Sequence, residues 1–237
     1  MQRLLYCGIL LSFALTAEAQ PDARTFQNFF RDGSHVGGFY GDAGLNYADF
    51  DGANVLDVGA QLGFRLGRAF ELGVDLVYIS VDREFGDNLN GLSDIGVTGR
   101  YLISSDNNTD ISVGGGLTLP VGDEDVGQGD VDVRVFGALR HATNPTLAIT
   151  GVFGIEFLEQ GDDYDYSLRL AGGLVWQTDP DLQFLAELNF LTDMDSALLT
   201  FGADYRLNGG NRLRPAFGIG VDDGSPDLVL LARFFFR

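Results

Sequence analysis

The sequence predicts an all-β fold, a transmembrane antiparallel up-and-down β-barrel of about twelve strands. Three observations carry this. Hydrophobicity alternates with a period of two from Val36 onward, the alternating runs are about ten to fourteen residues long, and short turn-rich connections alternate with longer acidic ones. A period of two puts successive side chains on opposite faces of a sheet. Ordinary strands average about 5–6 residues, whereas a tilted strand crossing a bilayer needs about 9–11. Short turns on one side and longer loops on the other are the pattern of outer-membrane barrels.

The chain opens with "MQRLLYCGILLSFALTAEA". Arg3 supplies a positive start, Leu4 to Leu15 an apolar stretch, and Ala17-Glu18-Ala19 an A-x-A cleavage site, so residues 1–19 read as a signal peptide. The apolar run is shorter than the roughly 20 residues a spanning helix needs. The only cysteine, Cys7, lies within it, leaving the mature chain without a thiol, a disulfide or a cysteine metal ligand. Residues 20–35 read as a periplasmic segment whose Phe26, Phe29 and Phe30 could form an interfacial helix or a lumen plug, or belong to a loose tail.

The barrel domain then covers 36–237. Its runs are expected at 36–49, 55–66, 69–81, 92–104, 109–121, 130–142, 146–158, 165–178, 182–192, 196–207, 212–222 and 227–237. In "YSLRLAGGLVW", Tyr166, Leu168, Leu170, Leu174 and Trp176 share one face while Ser167, Arg169, Ala171, Gly173 and Gln177 share the other. The short connections read "GR", "SDNN", "TNP", "DPD" and "NGGN"; "DREFGDNLNG", "GDEDVGQGD" and "EQGDDYD" read as the longer loops. An even strand count leaves both ends on the short-turn, periplasmic side. Aromatic residues on the apolar face gather at both ends of the strands: Phe64, Phe70, Tyr101, Trp176, Phe184, Tyr205, Phe234 and Phe236 near the short turns, and Tyr47, Tyr78, Phe157, Tyr166 and Phe190 near the longer loops. Two such girdles mark two membrane interfaces. The final "LVLLARFFFR" reads as the closing strand, with Leu228, Leu230, Ala232, Phe234 and Phe236 toward lipid and Arg233 toward the lumen. A soluble two-sheet sandwich would also alternate, but it explains neither the strand length, the loop asymmetry nor the signal peptide.

Several stretches resemble the outer-membrane barrel family associated with the meta-pathway of phenol degradation. They are "GLSDIGVTGRY" (91–101), "GLTLPVGDEDVGQGDVDVRV" (116–135), "ADYRL" (203–207) and the closing "GVDDGSPDLVLLARFFFR" (220–237). The resemblance implies an outer-membrane transporter or channel and brings no catalytic motif.

Charge placement sharpens the expectation. The chain carries 34 acidic residues against 15 basic ones, all arginine, for a net charge of −19. Such a balance excludes nucleic acid as a partner, since binding it needs a basic footprint. On the polar face Asp94, Asp132, Glu156, Glu187 and Asp204 stand against Arg100, Arg134, Arg169, Arg206, Arg214 and Arg233, the expected pore-lining set, joined by Asp42, Asp57, Glu71, Asp75, Asp110, Arg65, Arg140 and Arg212. Twelve strands about 4.8 Å apart and tilted by about 40° enclose a backbone cylinder about 24 Å across, or about 12 Å clear of side chains. These charges therefore form either a filling lattice of ion pairs or a narrow polar conduit. Inward Gly59, Gly63, Gly114, Gly116 and Gly173 are expected to leave local room. The negative excess falls on the longer loops, where Asp123, Glu124, Asp125, Asp162 and Asp163 define an extracellular acidic rim.

No enzyme, metal or cofactor reading stands beside this. The histidines, His35 and His141, are placed without a serine to activate. "DEDVGQGDVDVR" starts like a calcium loop but has Arg134 where the closing glutamate belongs. The expectation is a passive channel or transporter, in the outer membrane, for small polar or amphipathic solutes, to which the family resemblance adds aromatic ones. The alternative is an occluded structural or surface-binding barrel. Expected partners are the outer-membrane lipids and lipopolysaccharide, the barrel-assembly machinery and the small-molecule solute.

Overall fold

The computed structural model describes residues 38–237 apart from 128, 161–162 and 193–194. The expected signal peptide and the 20–35 segment lie outside the described residues. The strands are β1 (Phe39–Phe50), β2 (Ala53–Leu66), β3 (Phe70–Arg83), β4 (Leu89–Leu92), β5 (Ile95–Ser105), β6 (Thr109–Leu119), β7 (Val133–Asn144), β8 (Leu147–Gln160), β9 (Asp163–Asp179), β10 (Leu182–Leu191), β11 (Ser196–Arg206), β12 (Arg212–Gly220) and β13 (Leu228–Phe236). Successive strands pair antiparallel except β4 and β5, which both pair with β3, and β1 pairs with both β2 and β13, from Gly41↔Phe236 to Asp49↔Leu228. The sheet thus closes on itself, leaving no edge, as a hydrocarbon surround requires.

The twelve expected runs are twelve staves, one of them in two pieces. β4 and β5 pair in turn with the same strand, β3, and are split at Ser93–Asp94. The expected 92–104 run therefore begins earlier and is broken. Side chains at the break replace the ladder: the Val77 N–H donates to Ser93 Oγ, and the Leu92 N–H to Asp123 Oδ2. The expected "EQGDDYD" loop is mostly strand, because β8 runs to Gln160 and β9 starts at Asp163. A seventeen-residue β9 results.

Faces follow the alternation. Large apolar side chains such as Val58, Leu62, Val74, Phe153, Leu174 and Leu230 stand outward, each roughly half exposed. In water that surface would be an aggregation hazard; around a barrel it is the lipid face. Rings meet on it where registers align, as with Phe201 and Phe217, 5.7 Å apart, or Trp176 and Phe184, 6.3 Å apart. The tight Leu66-to-Phe70 turn rests on Gly67, whose φ of 65° lies in the left-handed region.

Candidate functional site: the lumen

The inward face divides into two zones. At the short-turn end it is a packed floor. Tyr40, Glu71, Arg100, Gln183, Thr200, Asp204, Arg214 and Phe235 are each at most 1% exposed. Arg100 Nη2 lies 3.1 Å from Glu71 Oε2, and the Tyr40 hydroxyl also donates to Glu71. Beside this triad runs a second chain of charges. Arg233 Nε sits 2.9 Å from Asp42 Oδ1, Asp42 Oδ2 lies 3.7 Å from Arg214 Nη1, and Asp204 takes Arg214 Nε at 2.7 Å and Arg212 Nε at 2.6 Å. Arg214 also lies over the Phe235 ring, 5.1 Å from its centroid, and that ring stacks on Tyr40. Buried charges persist only when paired this closely.

Midway up, Glu156 joins two arginines, Arg169 at 2.6 Å and Arg134 at 3.8 Å. Arg134 reaches from β7 toward β3, where Asp75 is 3.8 Å away, and it donates to Thr98 on the way. This crossing explains two glycines: a Cβ at Gly116 would meet Arg134, and one at Gly96 would meet Asp75. The expectation that inward glycines leave open room is corrected in general. Tyr40 fills the space over Gly63, Phe136 that over Gly114, Arg134 that over Gly116 and Thr150 that over Gly173. Gly59 meets Val77. Each glycine is a socket for the residue directly opposite it on the neighbouring stave, a pairing that a strand read alone does not reveal.

Above the ion pairs, toward the long-loop end, lies a chamber of about 550 Å³. Its walls are mostly aliphatic, including Val55, Val77, Ile79, Val229 and Leu231, with Asn46 and Asp57 among the polar groups. The charges expected to line the lumen do not reveal this apolar zone. The signal was there: the inward positions of β3 read Glu71, Gly73, Asp75, then Val77, Ile79 and Val81.

The expected lining residues fall as follows. Arg100, Asp204 and Arg214 belong to the floor; Arg134, Glu156 and Arg169 form the mid-lumen group; Arg233 links the floor to the chamber. Glu187 is buried and accepts from Asn189. Arg206 pairs with Arg212 in the ladder at the short-turn end. Asp94 and Asp132 are buried beside the 120–132 loop, with Asp94 Oδ1 accepting the Gly122 N–H at 2.9 Å. Of the acidic rim, Glu124 and Asp125 are exposed on that loop, while the Asp123 carboxylate is tied to the Leu92 N–H. Asp163 opens β9; Asp162 lies outside the described residues. No group of three or more metal-ligating side chains occurs among the described residues.

A closed antiparallel barrel with a lipid-matched outer face and a charged, partly filled lumen is the architecture of an outer-membrane channel protein. The family model described as "Putative MetA-pathway of phenol degradation" matches residues 31–169, and the chain belongs to that family. Among solved structures, an outer membrane channel from Pseudomonas putida F1 superposes with a TM-score of 0.72 at 15% identity, covering 89% of this chain and 99% of its own. The KdgM porin in complex with disordered oligogalacturonate gives 0.61 at 12% identity, covering 83% and 98%. The Ralstonia pickettii toluene transporter TbuX gives 0.53 at 10% identity, covering 86% and 90%. At these identities the likeness is one of fold. No curated protein matches the chain.

Proposed function

We propose that this barrel is a passive outer-membrane channel for small amphipathic or polar solutes, aromatic ones among them, entering from the long-loop end. The observation that carries it is the chamber of about 550 Å³ set above the ion-paired floor. Its size falls in the range of small-molecule sites, about 300–1,000 Å³, and apolar walls with a few polar groups suit a solute with a hydrophobic body and a polar end. The floor is then the barrier a solute must pass. Its charges are held by side chains alone, so side-chain rearrangement opens a path without breaking the ladder. The acidic loops favour cations at the entrance by field focusing. Names of structural neighbours, a toluene transporter and a porin with an oligogalacturonate, lend support to a solute-passing role.

The burial of Arg100, Glu71, Asp204 and Arg214 favours a second reading, a barrel that is occluded and acts as a structural or surface-binding protein. Liposome swelling separates the two. Purified barrel in vesicles should raise permeability to small aromatic alcohols, amines and acids above empty vesicles. No rise for any solute would favour the occluded reading.

A further inference from the structure

Asp57 is the one carboxylate among the described residues that line the chamber, and it differs from those of the floor and the mid-lumen. Asp42, Glu71, Asp75, Glu156 and Asp204 each have an arginine within 4 Å. Asp57 has none among the described residues. Its Oδ2 accepts from the Asn46 Nδ2 at 3.3 Å, and neither Asp57 Oδ1 nor Asn46 Oδ1 has a hydrogen-bond partner among the described residues. Both residues line the chamber, on the facing positions Asn46↔Asp57 of β1 and β2. The arginines that share the chamber are already engaged, Arg169 with Glu156 and Arg233 with Asp42. The uncompensated charge on the wall is therefore negative. A lone carboxylate beside aliphatic walls is costly unless something supplies a cation and donors.

We propose that Asp57 and Asn46 form the polar end of a binding site for organic ammonium ions, with the hydrocarbon body of the ligand against Val55, Val77, Ile79, Val229 and Leu231. A protonated amine brings three donors and a positive charge to a place with unsatisfied acceptors on a carboxylate and an amide. A turn about χ2, where the energy wells are broad, presents either oxygen of each side chain to the chamber. A carboxylic acid in the same place would meet Asp57 with like charge. The acidic entrance loops act in the same direction, raising the local concentration of cations before they reach the site. The inference names a solute class for the chamber and so rests on the channel reading.

The test is calorimetric binding to the full-length barrel in detergent, using 2-phenylethylamine, the neutral 2-phenylethanol and the anion phenylacetate at pH 7. The amine is expected to bind at least about tenfold tighter than the alcohol, with phenylacetate weakest. Asp57→Asn should erase the preference of amine over alcohol while leaving alcohol binding in place; Asn46→Ala should weaken amine binding alone. Each variant must keep its heat-dependent gel shift, as a check that the barrel is folded. Equal binding of amine and alcohol, an amine preference that survives Asp57→Asn, or binding of none of the three would overturn the proposal. Swelling measurements on the same preparations keep the two questions apart: permeability without amine preference sinks this inference and leaves the channel, whereas no permeability sinks the channel.

Discussion

Tyr40 on β1 reaches across β2 to donate its hydroxyl hydrogen to Glu71 on β3, and it does so over Gly63, where any Cβ would overlap its ring. Three consecutive strands are thereby clasped by one side chain. Removing the hydroxyl with Tyr40→Phe should cost about 1–3 kcal/mol, since it takes a donor from a buried carboxylate. Gly63→Leu should do worse by displacing the ring altogether. Urea unfolding of the refolded barrel in detergent reads both. A Gly63→Leu variant as stable as the native chain would show that the clasp is not used.

Breaking the buried pair should be more damaging than replacing it. Arg100→Ala takes from the buried Glu71 carboxylate the guanidinium that faces it at 3.1 Å, for a loss of about 3–5 kcal/mol. The double variant Arg100→Met with Glu71→Gln should recover much of that loss, because no lone charge remains. The same unfolding assay checks this, and a double variant worse than Arg100→Ala would contradict it.

The turn between β5 and β6 carries a pH signature. The Asp106 carboxylate accepts the N–H groups of Asn108 and Thr109, at 2.9 and 2.7 Å, which lowers its pKa from the usual carboxylate value. A lowered pKa contributes stability that is present above the unfolded value and is lost as pH falls through the folded one. The turn should therefore be fully ordered at neutral pH and loosen only in acid. Side-chain carboxyl titration by NMR should find Asp106 below exposed, unbonded aspartates, and Asp106→Ala should remove the acid-dependent loosening. An Asp106 that titrates with the others would overturn the assignment.

Ion selectivity should depend on the entrance loops. Glu124 and Asp125 are exposed, and the lumen carboxylates mostly carry arginines. Under a salt gradient in a planar bilayer the reversal potential should show weak cation preference at low salt. The preference should fade as salt rises, since the Debye length falls from about 10 Å at 0.1 M to about 3 Å at 1 M. Neutralising Glu124 and Asp125 should reduce it. Anion preference at low salt would assign selectivity to the lumen arginines instead.

The barrel was legible because its physics is local. A lipid-facing strand must alternate over its full length, and its turns must carry residues such as Gly67 or Gly209, so the staves and most of their ends could be read one at a time. The broken stave was not, because the Ser93–Asp94 break is completed by Asp123, thirty residues away. Inward charges were legible as a set, since alternation assigns their face. Their partners were not. Arg134 meets Asp75 on a strand three staves off, and Tyr40 meets Glu71 over a glycine. Pairing of this kind depends on barrel curvature and stagger, which a one-dimensional pattern does not contain. The apolar chamber is hidden for a related reason: its wall is assembled from Val77 and Ile79 with Val55, Val229 and Leu231 of other strands, and no single strand shows it.

Solute flux through a loosened floor tests the central claim most directly. The native barrel and an Arg214→Ala, Phe235→Ala variant, both shown to be folded by gel shift, would be compared in vesicles by the influx rate of one small aromatic amine and one aromatic alcohol. If the floor is the barrier beneath a solute chamber, the native protein passes both solutes faster than empty vesicles do, and the variant passes them severalfold faster still. Flux no higher than that of empty vesicles, for the native chain and the loosened one alike, would contradict a channel and leave an occluded barrel.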